Sequence, residues 1–188
     1  MRKLVADGAI GELRAFQAVF AIPRQPDDDI RHRADLGGGA LWDTGVYPVR
    51  AALHFLDDSL AVRGALLDNG PGREVDTAGQ ALLSTSGGVG ARLVFGLDHA
   101  YRSSYELWGS EGLITVERAF TPPADLVPEI LLERRGGTEV IKTEPADQVA
   151  RTVAAFVDGV RARAAPDTVC LRQAELLHGV RRAAHGLT

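Results

Sequence analysis

The chain has 188 residues, 45% hydrophobic and 24% charged, with a formal net charge of −4. That is room for one domain of ordinary composition; the apolar share argues against disorder, and an acidic balance without a long Lys/Arg run argues against nucleic-acid binding. No window reaches the roughly 20 apolar residues of a membrane span, Met1-Arg2-Lys3 opens no apolar signal core, and a single Cys170 excludes an internal disulfide framework, so a cytoplasmic protein is expected.

Residues 12–22 (ELRAFQAVFAI) alternate as a strand does, with Phe16, Ala18, Phe20 and Ile22 on one face. A polar loop from Pro23 to Asp35 ends in Gly37-Gly38-Gly39, where a helix is predicted to begin and run to about Leu56 with Leu41, Val49, Leu53 and Leu56 as its apolar stripe. Pro48 falls inside it and should remove one backbone hydrogen bond and bend the axis. From Leu60 to Thr143 the period is near two, broken by turn residues at Asn69-Gly70-Pro71-Gly72, Gly87-Gly88, Ser110-Glu111-Gly112 and Gly136-Gly137. These bound strands at 60–67, 75–86, 89–98, 103–109, 112–118, 129–135 and 138–143, and strands joined by such short turns must be antiparallel.

Val149, Val153, Phe156, Val157 and Val160 follow helix spacing on one stripe, and a second helix is predicted from the cap at Asp167-Thr168 to Gly186. No repeat or linker divides the chain. Residues 1–188 therefore read as a single α+β domain, a mainly antiparallel open sheet with helices packed on one face and the other face available for a homodimer.

The residues with chemistry gather between Asp29 and Pro48. Three glycines before a helix either make a tight turn or leave backbone N–H groups open to a ligand. Asp43 and Tyr47, four apart, project from one helix face, as a surface hydrogen bond or as a pair in which the carboxylate orients the phenol for proton transfer. Arg31-His32-Arg33 suits either a clamp for pyrophosphate or carboxylate or a solvated loop. Trp42 either walls a cleft or packs in the core. His32, His54, His99, His178 and His185 have no carboxylate or Cys at ligand spacing, so no metal site is expected. Lysine occurs only at Lys3 and Lys142, which leaves lysine-based catalysis few places.

Leu36-Gly37-Gly38-Gly39-Ala40-Leu41, followed by Asp43, Gly45, Tyr47 and Pro48, resembles the start of the C-terminal domain of the glucose–fructose oxidoreductase/inositol dehydrogenase (Gfo/Idh/MocA) family. Tyr105-Glu106-Leu107-Trp108-Gly109-Ser110-Glu111-Gly112 and Glu117-Arg118-Ala119-Phe120-Thr121-Pro122-Pro123 resemble the nucleotide-sugar 3-ketoreductases within it, and Gly8-Ala9-Ile10-Gly11-Glu12-Leu13 is similar to the domain's opening. The resemblance implies a two-part enzyme, in which a Rossmann domain binds NAD(P) and this domain offers an open sheet for substrate and oligomerisation. It places Asp43 and Tyr47 as catalytic groups at the reacting sugar carbon, and puts Arg31 and the loop carrying Phe120 near the same cleft. His32 and Trp42 join Arg31 and Phe120 as expected substrate contacts.

The chain departs from the family in having no Rossmann half. Gly87-Gly88-Val89-Gly90 lacks the sixth-position glycine and lies between two predicted strands, and the family's Glu-Lys-Pro motif is absent. No cofactor is expected on this chain alone, and NAD(P) enters only with a Rossmann partner. Met1 directly before the domain's opening reads as a genuine short chain. The expected function is thus a standalone, cofactor-independent enzyme of sugar or natural-product metabolism, working by isomerisation, elimination or cyclisation. Two alternatives stand beside it: the substrate-binding subunit of a split NAD(P)-dependent sugar oxidoreductase, and a non-catalytic binding or scaffold domain. A truly self-sufficient chain should carry polar residues wherever the missing half once sat.

Overall fold

All eight strands predicted from the period-two patterning form in a computed structural model that describes residues 1–56 and 59–187. They are β1 (Leu13–Ala21), β2 (Ala61–Asp68), β3 (Ala78–Ser84), β4 (Gly90–Gly96), β5 (Arg102–Gly109), β6 (Gly112–Glu117), β7 (Glu129–Arg134) and β8 (Gly137–Lys142). The helices are α1 (Arg2–Ala6), α2 (Ala40–Asp43), α3 (Val46–Phe55), α4 (Gln148–Arg161) and α5 (Val169–Ala184).

The strands form one sheet in the order β2-β3-β4-β1-β5-β6-β7-β8. Every pair joined by a short turn is antiparallel, as turn length requires. β1 and β4 are parallel, and the chain between them crosses over through α2, α3 and the β2–β3 hairpin. β1 lies at the centre because both its neighbours bury its apolar face. Phe16, Ala18 and Phe20 point into the core beside Ala91, Leu93 and Phe95 of β4 and Leu107 of β5.

Helices α2, α3 and α5 cover that face, α3 against β1 and β4, α2 against β3 and β4, and α5 against β2 and α3. The opposite face is bare, with Leu66, Leu82, Trp108 and Val140 half or more exposed. Helix α4 joins neither layer: none of its residues is buried.

The single predicted helix over 39–56 is two. The Ala40 carbonyl accepts the Thr44 N–H, the Thr44 hydroxyl and the Gly45 N–H, which closes α2 after one turn. A Cβ at Gly45 would lie 2.7 Å from the Leu41 oxygen, so only glycine allows this close turn. Pro48 therefore bends nothing. It sits in the first turn of α3, where a missing N–H costs no helix hydrogen bond. Among the described residues, no helix is long and apolar enough to cross a membrane, and no group of three or more His, Cys, Asp or Glu could hold a metal ion.

Candidate active site

The glycine triplet is a clasp for the loop, not a cradle for a ligand. The Gly37, Gly38 and Gly39 N–H groups donate to the carbonyls of Ala34, Arg33 and Arg31. A Cβ at Gly38 would lie 2.5 Å from the Arg31 oxygen, and Gly39 has a φ of +119°, so neither position tolerates a side chain. Of the two readings of the triplet, the tight turn holds, because the loop's own carbonyls take up the N–H groups.

Asp76, in the turn before β3, supplies the cap for α2. Its backbone oxygen accepts the Ala40 N–H at 2.7 Å and its Oδ2 accepts the Leu41 N–H at 2.7 Å. Burial pushes its carboxyl up from the ordinary value, opposed by the Leu41 hydrogen bond. Clasp and cap together set the 31–33 segment against the helix that carries Asp43.

There Arg31 bridges two carboxylates. Its Nε donates to Asp43 Oδ2 at 2.9 Å, and its Nη1 lies 3.2 Å from both Asp29 oxygens. Asp29 Oδ1 also accepts the Arg31 N–H at 2.9 Å. The Asp43 hydrogen bond raises the Arg31 pKa, and the Arg31 N–H lowers that of Asp29. Arg31 and Asp43 were expected near one another; Asp29 was not expected at all. Arg33 pairs with Asp35 at the surface.

Asp43 does not orient Tyr47, because the break at Thr44-Gly45 parts the two residues and Asp43 turns to Arg31. Tyr47 stands instead on an aromatic floor. Its ring meets Phe20 edge-on at 4.9 Å and lies 6.0 Å from Phe120. Phe120 in turn contacts Phe20 and Tyr105. The Phe120 segment is pinned by buried Ser103, whose Oγ accepts the Phe120 N–H at 2.8 Å and donates to the Phe120 oxygen. Phe20 and Phe120 are buried, whereas Tyr47 is 37% exposed and its hydroxyl makes no hydrogen bond among the described residues. Burial raises the phenol of Tyr105, which packs against Phe120, to about 12.

The remaining predicted contacts lie elsewhere. Trp42 stacks edge-on against His178 of α5 at 5.3 Å, joining two helices. His32 is buried inside the loop, its Nε2 3.4 Å from the Gln25 oxygen and its Nδ1 unpartnered. A broad hollow lined by Asp7, Ser110, Glu111, Arg134 and Glu139 contains none of the predicted site residues.

The arrangement is a floor without an opposing wall. The side chains of Arg31 and Asp43 are each 36% exposed, close to the value for Tyr47. Gly87-Gly88-Val89-Gly90 lies in the β3–β4 hairpin, where the Gly88 N–H donates to the Thr85 carbonyl and the Val89 N–H to the Thr85 hydroxyl. In the connection between the parallel strands β1 and β4, the Gly37-Gly38-Gly39 loop that precedes α2 gives its N–H groups to its own carbonyls.

Comparison with known proteins supplies what the floor lacks. Residues 1–115 match the model of the GFO/IDH/MocA C-terminal domain. The dTDP-3,4-didehydro-2,6-dideoxy-alpha-D-glucose 3-reductase of Saccharopolyspora spinosa is 51% identical, over 86% of this chain and 49% of its own length. The enzyme of the same name from Streptomyces violaceoruber is 48% identical, over 98% of this chain and 58% of its own. The structure of KijD10, a 3-ketoreductase from Actinomadura kijaniata in complex with NADP and TDP-benzene, matches with a TM-score of 0.94 at 43% identity, covering 97% of this chain and 57% of that one. The chain spans about half the length of the relatives it matches.

These relatives overturn the expectation of non-redox isomerisation, elimination or cyclisation, and with it the cofactor-independent reading. They are reductases, and the solved one holds NADP. The expectation rested on site-like residues kept without a cofactor half, but a standalone acid/base enzyme also needs walls that exclude water, and here Arg31, Asp43 and Tyr47 are each more than a third exposed.

Proposed function

Because the chain belongs to the GFO/IDH/MocA C-terminal domain family, we propose that it is the substrate-side domain of an NADP-dependent nucleotide-sugar 3-ketoreductase acting on a dTDP-linked 3-keto sugar. NADP belongs to a complementary dinucleotide-binding half, and in support the Gly87-Gly88-Val89-Gly90 run turns a hairpin instead of opening a helix. This is the split-reductase alternative, with the second half lying outside the residues described here.

The chain's own contribution is the placement of substrate and proton. Reduction of a ketone requires a proton at the carbonyl oxygen, and the Tyr47 hydroxyl, which has no hydrogen bond among the described residues, donates it from the open end of the aromatic floor. Water reaches this part-exposed residue and restores the proton between turnovers. Asp43, held through one oxygen by Arg31, keeps the other to accept a hydrogen bond from a sugar hydroxyl. Phe20 and Phe120 present a flat apolar surface on which a pyranose ring can rest. The observation that carries the reading is the free Tyr47 hydroxyl on this floor in a chain half-identical to 3-reductases.

The test joins the chain to the nucleotide-binding half of the Saccharopolyspora spinosa reductase and follows NADPH consumption with a dTDP-3-keto sugar. Turnover is expected, and Tyr47→Phe should lower it about 10²- to 10⁴-fold while substrate still binds. Unchanged turnover in Tyr47→Phe removes Tyr47 as the donor, and no NADPH consumption in the joined protein overturns the proposal. The same reading places the protein in the cytoplasm and pairs two copies through the bare sheet face at Leu66, Leu82 and Trp108. Light scattering that shows one chain per particle would remove the pairing.

A further inference from the structure

Helix α4 carries an uncovered apolar stripe. Val149, Val153, Phe156 and Val160 recur at helix spacing and are 57% to 71% exposed. A single exposed Val is ordinary, but four apolar side chains aligned on one helix face mark a surface meant to be covered. The rest of the domain does not cover it, as no residue of α4 is buried and none belongs to the core or to the apolar residues packed on it. A self-sufficient chain would carry polar residues here, and this one does not.

The position of α4 is nevertheless shared with an intact enzyme. The match to KijD10 leaves 3% of this chain uncovered, less than the 14 residues of α4, at a TM-score of 0.94. A helix that buries no residue in its own domain, yet falls within the match to a protein nearly twice as long, is placed to be covered by a further part of such a protein. Its N-terminus also touches the active-site loop, where the Gln148 Nε2 donates to the Pro122 oxygen, two residues beyond Phe120.

We infer that the α4 stripe is the docking surface for the complementary dinucleotide-binding half, with Phe156 as its central anchor. The inference rests on the proposed two-part reductase. Through Gln148 and Pro122, α4 brings the docked half next to the segment that carries Phe120, part of the floor under Tyr47.

Hydrogen exchange tests it on two proteins, the 188-residue chain alone and the chain fused behind the nucleotide-binding half of the Saccharopolyspora spinosa reductase. In the chain alone, α4 amides should exchange fast while α3 and α5 are protected. In the fusion, α4 protection should rise at least about tenfold, and Phe156→Asp should abolish that gain, since loss of a central anchor costs about thirtyfold or more. Phe156→Leu should retain it. Unchanged exchange of α4 in the fusion overturns the inference. In the chain alone, Phe156→Asp should leave the melting temperature and molar mass unchanged; a lower melting temperature, or a dimer that the substitution dissolves, shows that a second copy covers the stripe and also overturns it. The proposed function fails separately: a fusion with protected α4 and no ketoreduction refutes the activity and keeps the interface, whereas an active fusion with unprotected α4 does the reverse.

Discussion

Asp76 joins loop, glycine clasp and helix, and Asp76→Asn and Asp76→Ala should have opposite consequences at neutral pH. The Asn side chain keeps an oxygen to accept the Leu41 N–H, now bound at 2.7 Å, whereas Ala leaves that donor unpartnered at the start of α2. Loss of a capping oxygen costs about 1 kcal/mol and up to about 2 kcal/mol. At about 2–4 °C per kcal/mol for a chain of this size, Asp76→Ala should melt about 2–8 °C lower. Burial raises the Asp76 carboxyl above its ordinary 3.8, so the folded chain holds this proton more tightly than the unfolded chain. Below 3.8 both states carry it. As pH climbs from 3.8 toward the raised value, the unfolded chain ionises first, and the stability of the native protein falls until both states are ionised. Asp76→Asn escapes that loss. Thermal melts followed by circular dichroism from pH 4 to 8 should show the native protein losing ground to the Asn variant as pH rises, then a constant gap. A gap that is flat throughout, or that opens in favour of the native protein, refutes the reasoning.

Gly38→Ala should cost about 1–3 kcal/mol in urea unfolding, because its Cβ would lie 2.5 Å from the Arg31 oxygen and 2.8 Å from the Arg33 oxygen, backbone atoms that cannot rotate away. Ser103→Ala should cost about 1–3 kcal/mol by leaving the Phe120 N–H without its acceptor at a site 2% exposed, read as a lower melting temperature. Of the three tyrosines, one should ionise only near pH 12 in an ultraviolet titration, and Tyr105→Phe should remove that late step. Since the folded state keeps the Tyr105 proton above the ordinary 10.0, stability should fall between pH 10 and 12, and less steeply in Tyr105→Phe.

The strands were legible because the turns between them are written in glycine, proline and asparagine, and because one face of β1 alternates cleanly through Phe16, Ala18 and Phe20. The helix break was not. The stripe of Leu41, Val49 and Leu53 runs through Gly45 without interruption, and the close approach of the Leu41 oxygen exists only once the turn is made. The strand predicted over 75–86 began too early because Asp76 and Thr77 look extended in sequence but serve the cap and the turn to Asp68. In the site, Arg31 and Asp43 came from pattern and resemblance, while Asp29, Asp76 and Ser103 act through contacts that no spacing announces. The Val149–Val160 stripe was readable as a helix face; its want of a covering layer was not, because a period says that a face is apolar and not what lies against it.

The parallel seating of β1 has a consequence for how the protein is made. β1 is made before its partners Gly90–Gly96 and Arg102–Gly109, which follow only after the crossover and the first hairpin. Such distant pairing is slow to form. Until those strands arrive, Phe16 and Phe20 stay uncovered, and the nascent chain offers chaperones a greasy, unpaired ribbon while residues 22–89 are made. The strand beneath Tyr47 is translated before both of its neighbours and finds its place only once they have followed.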